Sequence, residues 1–344
     1  QLEELVRELN QRPSGEAPAP TIVPEGNELE PLLVEMSRQG ASDLLLIAGS
    51  PPVYRINGVL QRSESDVLGH DDVQGFFANL VTGRLGAQLN SEGSVDFSLR
   101  LAAGGEERRA LRFRINGHRQ RGTVAAAVRA LPAEIPTLPQ LNLPPSLAEV
   151  VKPSRGLVLV CGPTGSGKST TLAALVGEIN RNEARHIITI EDPVEYEHRN
   201  GRSVIEQIEI GRDAATFAGA LRAALRQNPD VILVGEMRDL ETVGTALTAA
   251  ETGHLILSTL HTSDVATAVH RIIDVFPADQ QTQIRQQLSL ALNAIVVQHL
   301  IPRSGGKGQA VAVELLLPNQ AVRNHIRQNK LQNLASEVTL GKRS

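Results

Sequence analysis

The sequence predicts an α/β protein of two domains, an α+β domain followed by a domain with a mostly parallel sheet. Its 344 residues are enough for two hydrophobic cores. The first part combines helical stretches with short strands and a hairpin signal, whereas the second part alternates apolar strands with helical stretches. Five prolines within residues 132–146 separate the two parts and indicate a domain boundary.

This pattern divides the chain into five segments. They are an N-terminal extension and linker at 1–27, a first domain at 28–131, an interdomain linker at 132–146, a second domain at 147–318 and a C-terminal helical segment at 319–344. The extension is predicted to be a short helix over Leu2–Leu9 followed by a proline-rich linker. Because the chain starts with Gln1 rather than methionine, we expect it to be a piece of a longer protein.

Local signals place the elements of the first domain. Apolar residues at helical spacing predict helices at Leu29–Arg38 and near Asp71–Val81. Asn57-Gly58, a dipeptide typical of two-residue turns, predicts a hairpin over Val53–Leu60. The other predicted strands are Asp43–Ile47, Ser94–Leu99, Leu111–Asn116 and Thr123–Ala130.

The second domain is predicted from its alternation of strands and helices. Apolar runs predict strands at Leu157–Cys161, Ile187–Ile190, Val231–Val234, His254–Ser258 and Val311–Leu316. Helices are predicted at Leu172–Ile179, Phe217–Arg226, Ala278–Val297 and Asn319–Gln328, after which the pattern weakens over Leu331–Ser344. A parallel sheet binds its ligand at the carboxyl ends of its strands, so polar residues that follow these strands are candidates for a site.

Composition restricts the class of partner. A net charge of -4 and an aromatic content of 2% argue against a nucleic-acid partner, which would need a basic surface or a base-stacking platform. Cys161 is the single cysteine, so the chain has no internal disulfide and no Cys-rich zinc module. The sequence has no run of 18 apolar residues, and Gln1–Asn10 is unlike a signal peptide. We expect a cytoplasmic protein whose association with a membrane is peripheral.

The stretch Gly162–Thr171 carries the strongest chemical signal. It follows an apolar strand and matches the spacing G-x-x-x-x-G-K-S, in which glycines at positive φ let backbone N–H groups face an anion at a helix N-terminus. Lys168 is expected to reach the β- and γ-phosphates of a nucleotide, and the Ser169 hydroxyl to bind Mg²⁺. The predicted nucleotide-binding residues are Gly162, Pro163, Thr164, Gly165, Ser166, Gly167, Lys168, Ser169 and Thr170.

Acidic residues follow two further strands. Glu191 ends one of them just before an Asp-Pro turn, and it is our candidate for orienting the water that attacks the γ-phosphate. A surface turn is the alternative. Glu236 follows Val231–Val234 and is expected to reach Mg²⁺ directly or through water, whereas Asp230 lies at the wrong end of that strand.

Two histidines lie on either side of the strand after Glu236. His254 and His261 are seven residues apart across a strand, which argues against a shared metal. We expect His261 to sense the γ-phosphate or to polarise the site, and His254 to take part in catalysis. The alternative for each is a hydrogen-bonding histidine at the edge of the core.

Arginines concentrate on the strands of the first domain. Arg112 and Arg114 alternate on one strand, so they are expected to project from one face toward phosphate or an acidic surface. Together with Arg129 they are our candidates for arginines supplied to the nucleotide of a neighbouring subunit, which requires an oligomer. A nucleic-acid-binding patch is the alternative.

Several motifs resemble those of the type II/IV secretion ATPases. The matching stretches after the phosphate-binding loop resemble an Asp box, an atypical second nucleotide box and a His box, at Ile190–Tyr196, Gly235–Thr242 and Thr252–Thr262, and Ala220–Asp230 is a further matching stretch. Other stretches are similar to the twitching-motility, PilT-like branch. They are Ala41–Leu44, Pro51-Pro52, Arg112–Asn116, Ile272–Pro277 and Ala321–Arg327. The similarity runs from about Glu28 to Asn333.

The resemblance implies a fold and a function. It implies a cytoplasmic hexameric ring at the inner membrane, in which a PAS-like first domain and a RecA-like P-loop NTPase domain couple Mg²⁺-dependent hydrolysis of ATP to retraction of a type IV pilus. It implies as partners further copies of this chain, the pilus platform protein of the inner membrane and a paralogous motor ATPase, with no nucleic acid. By motif, the intersubunit arginines correspond to Arg112 or Arg114 and to Arg129. The segment needed for retraction corresponds to Ala321, Val322, Arg323, Asn324, Ile326 and Arg327.

Three features depart from the family pattern. They are the extension at 1–27, a short basic loop at Gly117–Gly122 that resembles accessory, PilU-like members, and the end at Ser344, which predicts a truncated C-terminal segment. Three alternative functions stay open. A pilus assembly or secretion ATPase is disfavoured by the single cysteine, because such members often carry a four-cysteine zinc module. The others are a nucleic-acid translocase and a regulatory ATP-binding partner in another motor's ring.

Overall fold

The structure of this chain is a computed structural model that describes residues 21–22, 27–101, 111–304 and 308–340. The chain divides into two compact units, Gln1–Ala133 and Glu134–Ser344. The helix predicted over Leu2–Leu9 lies outside the described residues. None of the helices within the described ranges is both long and apolar enough to cross a membrane.

The first unit is an α+β domain with a seven-stranded sheet. Its elements are β1 (Thr21–Ile22), α1 (Leu29–Arg38), β2 (Asp43–Leu46), β3 (Val53–Ile56), β4 (Val59–Arg62), α2 (His70–Ala78), α3 (Gly83–Glu92), β5 (Ser94–Leu101), β6 (Leu111–Gln120) and β7 (Thr123–Leu131). The strand order is β1-β5-β6-β7-β2-β3-β4, and neighbours pair antiparallel except for β1 and β5. α3 was not predicted from the sequence, and β1 lies in the segment predicted to be a linker.

Side-chain alternation gives this sheet one apolar face and one polar face. Leu44, Phe113 and Val128 belong to a core that also contains buried residues of α1 and α2, such as Leu33 and Phe76. Because successive residues of a strand face opposite sides, the residues between them lie on the other face. That polar face carries the arginines of β6 and β7.

The hairpin predicted from Asn57-Gly58 is confirmed. β3 and β4 pair antiparallel, with Ile56 opposite Val59. Asn57 and Gly58 both have positive φ, at 51° and 81°. A two-residue type I′ turn requires this at both positions, which is why Asn-Gly specifies it.

The second unit has a seven-stranded sheet with helices packed on both faces. Its elements are β8 (Gly156–Cys161), α4 (Lys168–Asn182), β9 (His186–Glu191), β10 (Val204–Glu209), α5 (Phe217–Ala224), β11 (Val231–Val234), α6 (Leu240–Thr252), β12 (Leu255–Leu260), α7 (Val265–Asp274), α8 (Gln281–Ala291), β13 (Leu292–Pro302), β14 (Gln309–Leu316), α9 (Gln320–Arg327) and α10 (Leu334–Leu340), with 3₁₀ helices at Pro145–Val151 and Leu331–Asn333. The strand order is β10-β9-β11-β12-β8-β13-β14. All neighbours are parallel except β13 and β14, which confirms the predicted mostly parallel sheet.

One prediction for this unit is wrong. The helix predicted over Ala278–Val297 ends at Ala291, and the residues from Leu292 onward form β13. An apolar run suits either a helix or a strand, and here its β-branched residues pair with β8. Although the sequence pattern weakens after Leu331, the described residues remain packed up to Leu340, because Leu331 and Leu334 are buried and α10 follows.

The segment predicted to be an interdomain linker, 132–146, packs largely into the second unit. Leu138 and Leu143 are buried in a core with Val158 of β8 and Leu175 of α4. Proline interrupts regular secondary structure but does not keep neighbouring leucines out of a core. The proline-rich composition therefore predicted the irregular backbone of this segment but not its packing.

The parallel register brings several strand ends to one edge of the sheet. Cys161 at the end of β8 pairs with Leu260 of β12, and Val234 at the end of β11 pairs with Ile190 of β9. α4 begins at Lys168, shortly after β8 ends. The residues that follow these strands therefore meet along this edge, where parallel sheets bind their ligands.

We expect Leu175→Ala to lower the free energy of unfolding of the second unit by about 2–5 kcal/mol, because it leaves a cavity between α4 and the sheet. Leu175 is 0% exposed. Urea denaturation followed by circular dichroism measures this loss. The matched control is Leu290→Ala on α8, where the side chain is 57% exposed and the expected change is within about 0.5 kcal/mol. Equal losses for the two variants would contradict this description of the core.

Candidate functional site

The predicted phosphate-binding loop forms a tight turn between β8 and α4. Gly162, Gly165 and Gly167 have φ values of 147°, 80° and 88°. Residues other than glycine rarely adopt these values. A Cβ atom at Gly162 would also lie 2.3 Å from the backbone oxygen of Gln298. The loop thus requires glycine there both for its backbone angle and for its close contact with β13, and the nine predicted nucleotide-binding residues form this loop and the first turn of α4.

Lys168 reaches back across the loop. Its Nζ atom donates hydrogen bonds to the backbone oxygens of Gly162, at 3.0 Å, and Pro163, at 2.9 Å. Burial lowers the pKa of Lys168, because desolvation disfavours the ammonium form. A buried ammonium group held by uncharged carbonyls at a helix N-terminus is a strong attractor for an anion.

The start of α4 is also tied to the segment after β9. The hydroxyl groups of Thr170 and Tyr196 are 2.9 Å apart and share a hydrogen bond. Ser169 lies beside Thr170 and is partly exposed. Ser169 is therefore not enclosed by the fold at the helix start, where a metal ligand would have to lie.

Glu191 is the residue with the most perturbed carboxyl group near this edge. Burial raises its pKa to about 7, and the negative charge of Glu195 acts in the same direction. Hydrogen bonds from the Thr189 hydroxyl, at 2.7 Å, and from the Gln207 amide, at 3.4 Å, oppose this shift because they stabilise the carboxylate. The balance leaves a carboxyl group that gains and loses a proton near neutral pH.

Glu236 follows β11 and opens onto a cavity of about 700 Å³. Its Oε2 atom pairs with Nη2 of Arg238 at 2.6 Å. The same cavity is lined by Thr164 of the phosphate-binding loop and by His261 at the end of β12. The structure thus brings Thr164 of the loop, Glu236 and His261 to one cavity.

His261 remains exposed, and its pKa is lowered. Partial desolvation contributes most to the shift, and the positive charge of Lys168 adds to it. The imidazole is therefore held toward its neutral form, which can both donate and accept a hydrogen bond.

His254 does not join this cavity. It precedes β12, whereas His261 follows it, so the full length of the strand, about 17 Å, separates them. The Nδ1 atom of His254 lies 3.2 Å from the Ala249 oxygen, at the end of α6. The structure assigns His254 to the opposite edge of the sheet as a hydrogen-bonding residue, the alternative stated above. Asp230 lies at that same far edge, where its carboxylate accepts from the His186 N–H group.

The candidate arginines lie on the polar face of the first unit. Arg114 and Arg129 are direct neighbours across β6 and β7. Arg129 contacts Asp43 at 3.0 Å, and Arg114 contacts Asp96 at 3.6 Å. These four residues line a small cavity of about 210 Å³. Arg112 lies on the same face of β6 as Arg114, as the alternation of side chains along a strand requires. Arg112 is only 8% exposed, however, so it is less accessible than Arg114.

The segment predicted for retraction forms α9. Val322 and Ile326 are buried, whereas Ala321, Asn324 and Arg327 are at least partly exposed. The guanidinium group of Arg323 donates to the backbone oxygens of Ser289 and Leu290 at the end of α8. Arg323 thereby satisfies carbonyl groups that a helix end leaves unpaired, so one predicted residue has a structural role within the unit.

Two glutamines in the site were missed by the sequence analysis. Gln207 lies on β10 and bonds the Tyr196 oxygen, at 2.8 Å, as well as Glu191. Gln298 lies on β13 and bonds the phosphate-binding loop. For Gln298 the signal in the sequence is a glutamine within a strand of largely apolar residues, whereas Gln207 lies among the glutamates of β10 and has no such signal.

The family described as type II/IV secretion system protein matches residues 107–339 of this chain. The type IV pilus retraction ATPase PilT of Pseudomonas aeruginosa is 40% identical over 314 residues, covering 91% of this chain and 89% of PilT. The type IV pilus ATPase PilU of the same organism is 39% identical over 307 residues, covering 89% of this chain and 79% of PilU. A crystal structure of the pilus retraction motor PilT with bound ADP is 48% identical, with a TM-score of 0.82 over 90% of this chain and 88% of that one.

We expect the Glu191 carboxyl to titrate near pH 7, and Thr189→Val to move its midpoint to higher pH, because that variant removes a hydrogen bond to the carboxylate. Carbon-13 NMR of labelled glutamate side chains measures the midpoint, with Glu191→Gln to assign the signal. Thr248→Val is the control, since the Thr248 hydroxyl bonds the Gly244 oxygen on α6. A midpoint near that of an exposed glutamate, or an equal shift in both threonine variants, would contradict the described environment.

Proposed function

The chain belongs to the type II/IV secretion system protein family and is an ATP hydrolase, and we propose that it is a hexameric motor that couples ATP hydrolysis to retraction of a type IV pilus. The observation that carries the proposal is a complete phosphate-binding loop in a chain that matches a pilus retraction ATPase over nine-tenths of its length. Twitching motility is the behaviour that such a motor would drive.

The loop residues would hold the phosphate chain of ATP. Backbone N–H groups of Gly162–Lys168 would donate to the phosphate oxygens at the start of α4, and the Lys168 ammonium would add a full positive charge. The Ser169 hydroxyl and the Glu236 carboxylate are hard oxygen donors of the kind that Mg²⁺ prefers. Bound Mg²⁺ would neutralise charge that develops on the phosphate oxygens.

Glu191 is the proposed general base. A carboxyl group with a pKa of about 7 is matched to accepting a proton from water at neutral pH. Its hydrogen bonds with Thr189 and Gln207 fix the side chain on the edge of the sheet. His261 would polarise or sense the γ-phosphate, because its neutral ring lies in the cavity with Glu236.

Arg112, Arg114 and Arg129 are proposed to act on the nucleotide of a neighbouring subunit. Guanidinium groups suit phosphate because they present several N–H donors in one plane. Arg114 and Arg129 now contact Asp96 and Asp43, and these contacts between partly exposed side chains are weak enough to be exchanged. This role requires the proposed hexamer.

The proposed partners outside the ring are the platform protein of the pilus at the inner membrane and a paralogous motor ATPase. The exposed side of α9, with Asn324 and Arg327, is the proposed contact for retraction. An accessory role is the second candidate, because the chain is as similar to PilU as to PilT. In either role the protein would work in the cytoplasm at the membrane surface.

We expect Glu191→Ala to lower kcat for ATP by roughly 10²–10⁴-fold, because it removes the general base, while ADP affinity stays within about threefold. Glu236→Ala should also lose turnover, and Lys168→Ala should lose ADP binding. The measurements are steady-state turnover and ADP titration across protein concentration, with mass measured in parallel. Wild-type turnover per chain should rise as hexamers form.

The control for this series is His254→Ala, for which we expect turnover within about twofold of wild type because His254 lies at the far edge of the sheet. A loss as large as that of Glu191→Ala would contradict the placement of the site. ATP binding without turnover in the assembled wild type would contradict the motor and favour a regulatory partner.

We expect deletion of the gene for this chain in its own organism to leave assembled pili that do not retract, because retraction would lose its source of energy. Force measurements on tethered pili test this, with the wild-type gene and the Glu191→Ala variant returned separately. A loss of retraction only under load would indicate the accessory role. Loss of the pili themselves, or of secreted proteins, would instead indicate an assembly or secretion ATPase.

A further inference from the structure

We propose that Gln298 on β13 is a positioning residue for nucleotide binding, whose side-chain amide holds the phosphate-binding loop in the shape that receives phosphate. The proposal deepens the proposed function and rests on nucleotide binding at the Gly162–Lys168 loop. Gln298 is 4% exposed, although it is a polar residue. A buried amide requires hydrogen-bond partners, and both of the partners found here belong to the loop and its helix.

The Gln298 amide joins the loop to the first turn of α4. Its Nε2 atom donates to the backbone oxygen of Ser166 at 2.6 Å, and its Oε1 atom accepts from the Thr171 hydroxyl at 2.7 Å. Thr171 is 0% exposed. Water has little access to either bond. If the amide were removed, the Ser166 oxygen and the Thr171 hydroxyl could therefore bond to water only by moving. One side chain therefore fixes two points of the loop and helix relative to each other.

The first of these bonds sets the direction of a backbone N–H group. The Ser166 oxygen and the Gly167 N–H group belong to one planar trans peptide unit, in which they point in opposite directions. When Gln298 holds the Ser166 oxygen on the side of β13, the Gly167 N–H group must point away from β13. Inward-pointing N–H groups are what such a loop uses to bind phosphate. Gln298 thus orients a phosphate donor without touching the phosphate.

The glycines of the loop lie directly against Gln298. A Cβ atom at Gly162 would be 2.3 Å from the Gln298 backbone oxygen, and one at Gly167 would be 2.8 Å from its Nε2 atom. Both distances are far inside van der Waals contact. Gln298 therefore forms a wall on one side of the loop, with its backbone as well as its side chain.

Sheet register places Gln298 at this point. β13 runs parallel to β8, with Val297 opposite Cys161, so the next residue of each strand is Gln298 and Gly162. The pairing shifts by one residue between Leu292 and Ala294. Because a shift of one residue exchanges the two faces of a strand, this irregularity decides that the glutamine side chain lies next to the loop.

We expect Gln298→Ala to raise KM for ATP and the Kd for ADP by about tenfold, because the unpaired Ser166 carbonyl lets the loop leave its binding shape. kcat at saturating ATP should stay within about threefold, since the loop contacts are made in both the ground state and the transition state. Gln298→Glu should weaken ADP binding further, because a carboxylate cannot donate to the Ser166 oxygen and repels phosphate. The measurements are steady-state kinetics and ADP titration.

The matched control is Asn182→Ala. Asn182 is the last residue of α4, and its amide donates to the Glu178 oxygen at 2.9 Å, at the end of that helix away from the loop. We expect KM within about twofold of wild type for this variant. Should Gln298→Ala not fold, Thr171→Val removes one of the two bonds and should raise KM by a smaller factor.

The split between KM and kcat separates positioning from general support of the fold. A variant that only unfolds more easily has fewer active molecules, so its apparent kcat falls at unchanged KM, and that result would overturn the proposal. Unchanged ADP affinity in both Gln298 variants would overturn it too, even if wild type hydrolyses ATP and retracts pili. Conversely, the wild type could fail to drive retraction while the Gln298 variants bind ADP more weakly. That result would contradict the proposed motor function and still support the role of Gln298.

Discussion

The site depends on the pairing of β8 with the strands on its two sides. Cys161 at the end of β8 lies opposite Leu260 of β12 and opposite Val297 of β13. Because the three strands are parallel, the phosphate-binding loop and the segments that carry His261 and Gln298 leave the sheet at one edge. A slip of one residue in either pairing would turn the neighbouring side chains to the other face. Sheet register therefore decides which groups meet the loop.

Where candidate site residues are consecutive or lie at strand ends, the sequence was enough to predict where in the sheet they lie. Gly162–Lys168 is one continuous motif. Glu191 and Glu236 lie at the carboxyl ends of apolar strands, and in a parallel sheet these ends share one edge. His254 shows the limit of this reasoning. A motif groups it with His261, but the strand between them carries the two to opposite edges. The spacing of the two histidines shows that a strand separates them. Which histidine lies at the carboxyl end of that strand decides which one can reach the site.

The remaining features depend on long-range pairing. The hairpin at Asn57-Gly58 is specified by two adjacent residues, so it was predictable. Gln298, in contrast, bonds a residue 132 positions away, and it lies on a strand whose apolar run also suits a helix. Gln207 lies on an edge strand with charged residues, which hides the apolar pattern. The burial of the leucines in 132–146 was also not predictable from local sequence, because they pack against residues that are distant along the chain.

The charge of Lys168 explains why a neutral glutamine is favourable at residue 298, beside the phosphate-binding loop. Lys168 is already desolvated in the folded protein, and the carbonyls of Gly162 and Pro163 that hold it carry no net charge. Phosphate would supply the charge that they lack, so binding raises the pKa of Lys168 and recovers interaction energy that the free loop does not realise. A carboxylate at residue 298 would compete with phosphate for that cation, and a second cation would depress the Lys168 pKa further. The neutral amide of Gln298 donates and accepts at once, so it can shape the loop while leaving Lys168 to the phosphate.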